Sequence, residues 1–229
     1  SLTTIVDGGG GWGAFADNKN LSVVVIPDNV TTVGGEAFAG CTSLKTIVFG
    51  ANVTTLGAGA LRGCTSLTEV SLPKKLTIIP NSCFLGCPAL SKVILPEGLT
   101  TIERYAFENC SSLQTIQLPS TIRVMTQAFA GCTGLVEIEI PEGVSILDKT
   151  FMDCPNLSKV TLPSSLTTIG TQAFGGCSNL VSLHIPSGVT NIGNSAFYGC
   201  IALSNIVLPS GLTTLGDYAF QDCRALSKI

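Results

Sequence analysis

The strongest constraint on this chain is a repeat that runs through almost its whole length. Nine of the ten cysteines fall in one column, and their sequence numbers differ successively by 23, 23, 23, 22, 22, 23, 23 and 23. The column consists of Cys41, Cys64, Cys87, Cys110, Cys132, Cys154, Cys177, Cys200 and Cys223. One further step back from Cys41 reaches Asn18, which continues the register and makes ten units. Self-similarity at such a period predicts a solenoid of stacked units.

One unit reads A-F-x-G-C-x-x-L-x-x-I-x-L-P-x-x-L-T-T-I-G-x-x. The L-x-x-I-x-L part ends in the alternation of a short strand, and the proline ends that strand because it has no N–H to donate. The L-T-T-I part predicts a second short strand on the opposite side. The phenylalanine is the largest apolar side chain of the unit. A single unit cannot bury these side chains alone, so stability is expected to come from contacts between stacked turns.

The ten units form one uninterrupted array, so we expect residues 1–229 to make a single domain. The chain opens with SLTTI, the second half of a unit, and closes with ALSKI, partway through the next strand. Solenoids need polar caps, and neither end supplies one. We therefore expect both ends to be truncated in mid-repeat.

The unit resembles the BspA-like, or Treponema-type, leucine-rich repeat of bacterial cell-surface proteins, and the resemblance covers nearly the whole chain. It implies a leucine-rich-repeat solenoid: a β-rich, right-handed superhelix of about ten 22–23-residue rungs, with short strands on both sides and few or no regular helices. It also implies a secreted or cell-surface protein that binds another protein, such as a host surface or matrix protein, and so acts in adhesion. A structural spacer without a ligand of its own is the alternative. An enzyme is a weak third hypothesis and is not expected.

Composition argues against two classes of partner. Only 12% of the residues are charged and the net charge is −3, so the chain has no basic surface suited to nucleic acid. Its longest apolar runs resemble VVVI at residues 23–26, far below the roughly 18 residues of a membrane-spanning helix. No membrane span is therefore expected in this sequence.

The cysteine column is expected to hold buried free thiols. Side chains in one column of a solenoid point in parallel, which holds neighbouring Cβ atoms farther apart than a disulfide prefers. Asn18 in the same column suggests a small side chain that hydrogen-bonds to nearby backbone. Cys83 lies in a column otherwise filled by small residues, with a Cys83–Cys87 bridge as the lesser alternative. No cysteines form the paired C-x-x-C spacing of a zinc site, so neither a metal nor a cofactor is predicted.

Two groups of polar residues are candidate catalysts. His184 is the only histidine and falls on a strand position that alternates outward, which favours a surface residue over a nucleophile–base pair. Glu137 and Glu139 share the outward face of one strand, where paired acids can do acid–base chemistry. An open sheet offers no pocket around them, so a solvated face is the preferred interpretation. No catalytic residues are predicted.

The remaining candidate is the outward face of the strand column. Leucine-rich repeats curve, and the concave sheet is their usual partner surface, so these outward residues are predicted to bind a protein partner. A solvated sheet without a partner is the competing interpretation, and the face offers no aromatic anchor. The predicted residues are Val23, Val25, Thr46, Val48, Glu69, Ser71, Lys92, Ile94, Thr115, Gln117, Glu137, Glu139, Lys159, Thr161, Ser182, His184, Asn205, Val207 and Lys228.

The stretch IVDGGGGWGAF matches G-x-G-x-x-G at Gly8, Gly10 and Gly13, the pattern of a dinucleotide-binding loop. No helix is predicted after it to receive a phosphate, so the match is interpreted as accidental. Ile5 lies ten residues before Phe15, whereas the equivalent residue of an ordinary unit lies five before its phenylalanine. The glycines are therefore an insertion of about five residues in a turn, and Trp12 is expected to pack against the first unit.

Overall fold

The chain folds into a parallel β-solenoid with one elongated apolar core. The computed structural model describes residues 2–8 and 12–229, and of Asp7, Gly8 and Trp12 it describes only the backbone. No helix occurs in these described ranges. The prediction of a helix-poor solenoid with short strands on both sides is thus confirmed.

The first series of strands comes from the L-x-x-I-x-L part of the unit. In each three-residue strand the middle side chain points into the core and its two neighbours point outward. The series comprises β4 (Val23–Val25), β6 (Thr46–Val48), β8 (Glu69–Ser71), β10 (Lys92–Ile94), β12 (Glu137–Glu139), β14 (Lys159–Thr161), β16 (Ser182–Leu183) and β18 (Asn205–Ile206).

Eight of the ten predicted units carry a strand of this series. Residues 115–117 have no strand assignment, and Lys228 makes only an isolated bridge to Asn205. The strands pair in twos: β4 with β6, β8 with β10, β12 with β14, and β16 with β18. The ladder on this side is therefore interrupted at several steps.

The second series, which we call the back strands, comes from the L-T-T-I part of the unit. These strands also run parallel, with register between equivalent residues of successive turns. The series comprises β1 (Thr4–Ile5), β5 (Thr32–Val33), β7 (Thr55–Leu56), β9 (Ile78–Ile79), β11 (Thr101–Ile102), β13 (Ile146–Leu147), β15 (Thr168–Ile169), β17 (Asn191–Ile192) and β19 (Thr214–Leu215).

The third side of each turn is a run of about eight residues ending in the column cysteine, which we call the spiral segment. In the segment 34–41, alternate N–H groups bond in two directions. Phe38 N–H donates to the Ala60 carbonyl of the next turn (2.8 Å), whereas Cys41 N–H donates to the Phe38 carbonyl of its own turn (3.2 Å). The segment therefore forms hydrogen bonds both within its own turn and to the next turn.

The spiral segment needs left-handed backbone at the residue before the cysteine. Six of the ten units have glycine there, with φ between 68° and 78°. The other four have Asp17, Asn109, Asp153 and Asp222, with φ between 56° and 61°. Glycine, asparagine and aspartate are the residues that tolerate this region best. The G of the repeated G-C pair is thus a conformational requirement.

The phenylalanines stack along the axis of the solenoid. Seven pairs of rings in successive turns lie 5.1–6.0 Å apart between centroids and within 18° of parallel. The rings of the inner turns are fully buried, whereas Phe15 in the first turn is 43% exposed. Large buried side chains of this kind dominate the burial of apolar area in a core.

The column cysteines are free, buried thiols that donate to backbone. In all nine turns the Sγ donates to the carbonyl of the residue at the phenylalanine position one turn earlier, at 3.1–3.3 Å. Cys83 and Cys87 are both free. In most turns the thiol is a second donor to that carbonyl, which also accepts a backbone N–H of its own turn, as Phe38 does from Cys41.

Burial raises the pKa of most column thiols, because the desolvated thiolate is disfavoured. The pKa of Cys87 and of Cys154 rises to about 12, in both cases chiefly by desolvation. Cys110, Cys132 and Cys177 also have pKa values raised well above the ordinary 9.0, with burial again the main cause. These thiols are therefore poor nucleophiles in the folded chain.

The first threonine of the T-T pair links adjacent turns through its side chain. Thr213 Oγ1 donates to the Thr190 carbonyl at 3.0 Å, and Thr54 Oγ1 donates to the Thr31 carbonyl at 3.3 Å. The pair thus combines β-propensity with a cross-turn hydrogen bond.

The glycine-rich insertion begins and ends in a small hairpin. Strand β2 (Asp7–Gly8) pairs antiparallel with β3 (Trp12–Gly13), in the register Asp7 to Gly13 and Gly8 to Trp12. The loop between them and the packing predicted for Trp12 lie outside the described residues. No helix begins at this insertion within the described chain.

We expect Phe129→Ala to lower the free energy of unfolding by about 3–5 kcal/mol, because it leaves a cavity between two stacked rings. Urea denaturation followed by circular dichroism measures the change. Phe15→Ala is the matched control: the same side chain is removed from a partly exposed position, so the loss should be clearly smaller. Equal losses at the two sites would contradict the role of the buried stack.

In the native protein we expect the inner thiols to resist iodoacetamide. A pKa of about 12 leaves about one thiolate in ten thousand at about pH 8. Without any reductant, unfolding in urea should make all ten cysteines reactive, as counted by intact mass spectrometry. Two cysteines that stay unlabelled until a reductant is added would reveal a disulfide and contradict this assignment.

We expect stability to fall as the pH rises through the ordinary thiol value of 9.0. Above that pH the unfolded chain loses thiol protons while the folded chain retains them up to about 12, so the unfolded state is favoured. The urea midpoint should therefore decrease between about pH 8 and pH 10. The double variant Cys87→Ser/Cys154→Ser should show a shallower decrease, because serine keeps a donor but does not ionise in this range. An identical slope would contradict the thiol linkage.

Candidate functional site

The candidate surface consists of the outward side chains of the first strand series and of residues 115, 117, 184, 207 and 228, which continue the same rows. We call it the strand face. All nineteen of the residues predicted from the sequence are exposed on it. Alternation explains this arrangement: the inward residue of each strand is held in the core, so its neighbours must point away from it. Whether the face is concave stays a prediction.

The side chains of the strand face form two parallel rows. The first row runs Val23, Thr46, Glu69, Lys92, Thr115, Glu137, Lys159, Ser182, Asn205 and Lys228. The second row runs Val25, Val48, Ser71, Ile94, Gln117, Glu139, Thr161, His184 and Val207. Strand register places neighbours in a row directly beside each other wherever two strands are paired.

Four of the five charged residues of the first row form opposite pairs across paired strands. Lys159 Nζ lies 3.3 Å from Glu137 Oε2, and Lys92 Nζ lies 3.8 Å from Glu69 Oε2. All four side chains are at least half exposed, so each pair contributes roughly 0–1 kcal/mol. Glu139 has no ion-pair partner among the described residues. The charged pairs therefore contribute little to stability, and their main effect is on the charge distribution of the strand face.

Apolar side chains lie at both ends of the strand face. Val23, Val25, Val48 and Ile94 are exposed near the N-terminal end, and Val207 is exposed near the C-terminal end. His184 is exposed in the second row, at the position between Thr161 and Val207. No phenylalanine, tyrosine or tryptophan lies among the nineteen residues of the face.

Three shallow grooves lie along the strand face. One of about 670 Å³ lies across β6 and β8 and is lined by Val48, Glu69, Ser71 and Ile94, among others. A second, of about 570 Å³, lies between β10 and residues 115–120. A third, of about 500 Å³, includes Glu137, Glu139 and Lys159. Each groove borders a step at which the strand ladder is interrupted.

The structure brings no metal-binding cluster together in the part of the chain that it describes. No group of three or more histidine, cysteine, aspartate or glutamate side chains is arranged to hold an ion there. Across residues 2–8 and 12–229 no helix is long and apolar enough to cross a membrane.

Sequence reasoning missed the interruptions of the strand ladder and the grooves beside them. The repeat pattern predicts a strand in every unit, including residues 115–117, where none forms. The available signals were local departures from the consensus. The turns that contain Phe129 and Phe151 are one residue shorter between the back strand and the phenylalanine, and another turn has Leu61 in place of phenylalanine.

Solved structures share this architecture. The chain is similar to a leucine-rich repeat protein from Bacteroides ovatus at 25% identity and a TM-score of 0.62, over 99% of this chain and 81% of that one. It is similar in fold to the Treponema pallidum leucine-rich repeat protein (24% identity, TM-score 0.51, 78% and 72% covered). It also shares the fold of the pneumococcal vaccine antigen PcpA (19% identity, TM-score 0.50, 99% and 72% covered). Comparison with curated proteins gives no match.

A family model decides the classification. The model described as the BspA type leucine rich repeat region matches six copies, spanning residues 11–136 and 105–227. These spans include the phenylalanine and cysteine columns and every strand of the two series except β1. The chain belongs to the BspA-type leucine-rich repeat family.

Proposed function

We propose that this chain binds a partner protein through the strand face. The observation that carries the proposal is the position of the three grooves, all of which lie among the exposed rows of this one face. Leucine-rich repeat solenoids are protein-interaction modules in general, and their extended sheets are the surfaces that they use. The face is continuous over the whole array, so it suits a large partner surface.

The chemistry of the face favours a contact that is largely uncharged. Exposed Val48 and Ile94 line the groove over β6 and β8, and Glu69 and Lys92 beside them are paired with each other. Asp28 and Lys74 lie at the same groove. Burial of such apolar side chains against a partner supplies the favourable free energy, at about 25 cal/mol per Å² before the costs of association. The N-terminal part of the strand face is therefore where we expect the strongest contribution.

We further propose that the partner is a protein of a host surface or extracellular matrix, and that the full protein is secreted or displayed on a cell. This part rests on the resemblance of the repeat unit to bacterial surface proteins. The low charge of the chain agrees with it, because it leaves protein as the best-suited macromolecular partner.

We expect the double variant Val48→Lys/Ile94→Lys to weaken binding to its matrix partner at least tenfold. The two lysines would replace apolar contacts and would have to lose water on binding, and loss of an anchor commonly costs about 1–2 kcal/mol. Binding is measured by biolayer interferometry on immobilised fibronectin, laminin and collagen.

The chain offers a closely matched control on the side of the back strands. Val124 and Ile146 are 48% and 50% exposed, against 51% for both Val48 and Ile94. Val124→Lys/Ile146→Lys should therefore bind as the unchanged chain does. Equal loss in both double variants would exclude the strand face as the binding surface. Absence of binding to every matrix protein tested would contradict adhesion and favour a structural spacer.

A further inference from the structure

Within the described chain, the half-turn formed by residues 46–56 lacks backbone hydrogen bonds to the next turn, as does the half-turn formed by residues 115–125. Residues 46–56 lie beside residues 69–79 of the next turn, and we call the boundary between these two runs the seam. Among the described residues, no strand pairing joins β6 to β8 or β7 to β9, and no backbone hydrogen bond outside the strands connects the two runs. A side-chain hydrogen bond does cross the seam, from Lys75 Nζ to Asn52 Oδ1 at 2.8 Å.

Equivalent amides on the strand side show the contrast. Thr46 N–H donates to the Ser22 carbonyl of the preceding turn, and Lys92 N–H donates to the Thr68 carbonyl, at 3.4 and 3.3 Å. Glu69 occupies the same column between them, and its N–H has no backbone acceptor within the described chain. The half-turns directly before and after the seam are therefore bonded at this column, whereas the seam between them is open.

The back strands repeat the contrast in the same turn. Thr55 N–H donates to the Thr31 carbonyl, and Thr101 N–H donates to the Thr77 carbonyl, both at 3.3 Å. Ile78, the residue between them in the column, has no such bond among the described residues. Both strand series thus open along one contiguous half-turn.

A proline accounts for the opening on the back side. The residue after each back strand normally donates to the previous turn, as Gly57 does to the Val33 carbonyl (2.8 Å) and Glu103 does to the Ile79 carbonyl (2.9 Å). Pro80 holds this position at the seam and has no N–H to donate. It is the only proline in that column.

The phenylalanine stack is interrupted at the same place. Leu61 stands between Phe38 and Phe84, so the two ring–ring contacts that would flank it are replaced by contacts to a smaller side chain. Aromatic stacking of this kind adds about 0.5–1.5 kcal/mol per pair beyond burial of area. The turn at the seam is therefore held less strongly than its neighbours.

The spiral side stays closed next to the seam. Gly59, Leu61 and Gly63 donate their N–H groups to carbonyls of the following turn at 2.9, 3.0 and 2.8 Å. Two sides of the solenoid are thus unbonded while the third is continuous. A body that is continuous along one side only has the geometry of a hinge.

We propose that the solenoid flexes at the seam, with the spiral segment 57–64 as the pivot. Flexing changes the separation of the strand-face residues on either side, such as Val48 and Ser71, and so changes the width of the 670 Å³ groove over β6 and β8. The proposal concerns the motion of the free chain and does not depend on whether the strand face binds a partner.

Hydrogen exchange measured residue by residue by NMR tests the opening. The amides of Glu69 and Ile78 should exchange at least about tenfold faster, after correction for intrinsic rates, than those of Lys92 and Thr101 in the same columns. Equal protection in the two turns would refute the proposal.

The double variant Leu61→Phe/Pro80→Gly restores the consensus at both positions and should close the seam. We expect exchange at Glu69 and Ile78 to slow about tenfold while exchange at Thr46 stays unchanged. Should the double variant misfold, Pro80→Gly alone restores the missing donor and carries the same expectation. Unchanged exchange in a folded variant would overturn the assignment of the seam to these residues.

Residual dipolar couplings provide the second readout, because local opening without flexing would leave them unaltered. In the unchanged chain, residues 12–56 and 69–113 should align with different tensor magnitudes, and in the closing variant they should align as one body. One common tensor in the unchanged chain would refute the hinge.

Discussion

The structure depends on the backbone of the residue at the phenylalanine position, which bonds to the next turn in two ways. Its N–H donates to a carbonyl of the next turn, as from Phe15 to Ala37 at 2.8 Å, and its carbonyl accepts the thiol of the next column cysteine, as Phe15 does from Cys41. This double link recurs at every turn from Phe15 to Phe197, including the one with Leu61. The strand ladders on the other two sides are interrupted, so this link is what makes the array continuous.

Several features of the composition follow from that link. The N–H and carbonyl can both reach the next turn only if the chain makes a tight spiral, and the spiral requires a left-handed residue just before the cysteine. Glycine fills that position in most units, and aspartate or asparagine fills it in the rest. The carbonyl accepts a backbone N–H of its own turn in most units, and the thiol adds a second, uncharged donor that reaches it from the next turn. The recurring G-C pair is therefore one constraint expressed in two residue types.

Sequence reasoning predicts the features that all units share and misses those that depend on single atypical units. The columns predict the solenoid, both strand series and the exposed rows, because burial and alternation act identically in every unit. Pairing between adjacent strands is a property of two turns at once, and it fails beside turns that depart from the pattern. Pro80 removes a donor, and residues 115–117, which join no strand, come just before the shortened turn at Phe129. A consensus repeat unit does not show departures that occur in only one unit.

The hydrogen bonds of the column thiols can be predicted only in part from the sequence. The presence of Asn18 in the cysteine column suggests a small side chain that bonds to backbone, but the acceptor is one turn earlier and 25 to 26 residues away. Only the path of the spiral brings that carbonyl to the sulfur. The hairpin formed by β2 and β3 is a similar case: the count of residues shows an insertion, while its antiparallel pairing depends on the backbone around the glycines.

The separate roles of the spiral segments and the strand face affect how the molecule can act as an interaction module. The spiral segments bond successive turns at every step. The fold therefore does not require continuous strand pairing on the strand face, where the ladder is interrupted. Residues in the two exposed rows then vary between valine, glutamate, lysine and histidine without changing the core beneath them. Because the spiral segments remain bonded, a half-turn such as the seam can open while the fold persists. A surface that is free both to vary and to flex is suited to partners of different shape, and here that freedom follows from a hydrogen bond on another side of the solenoid.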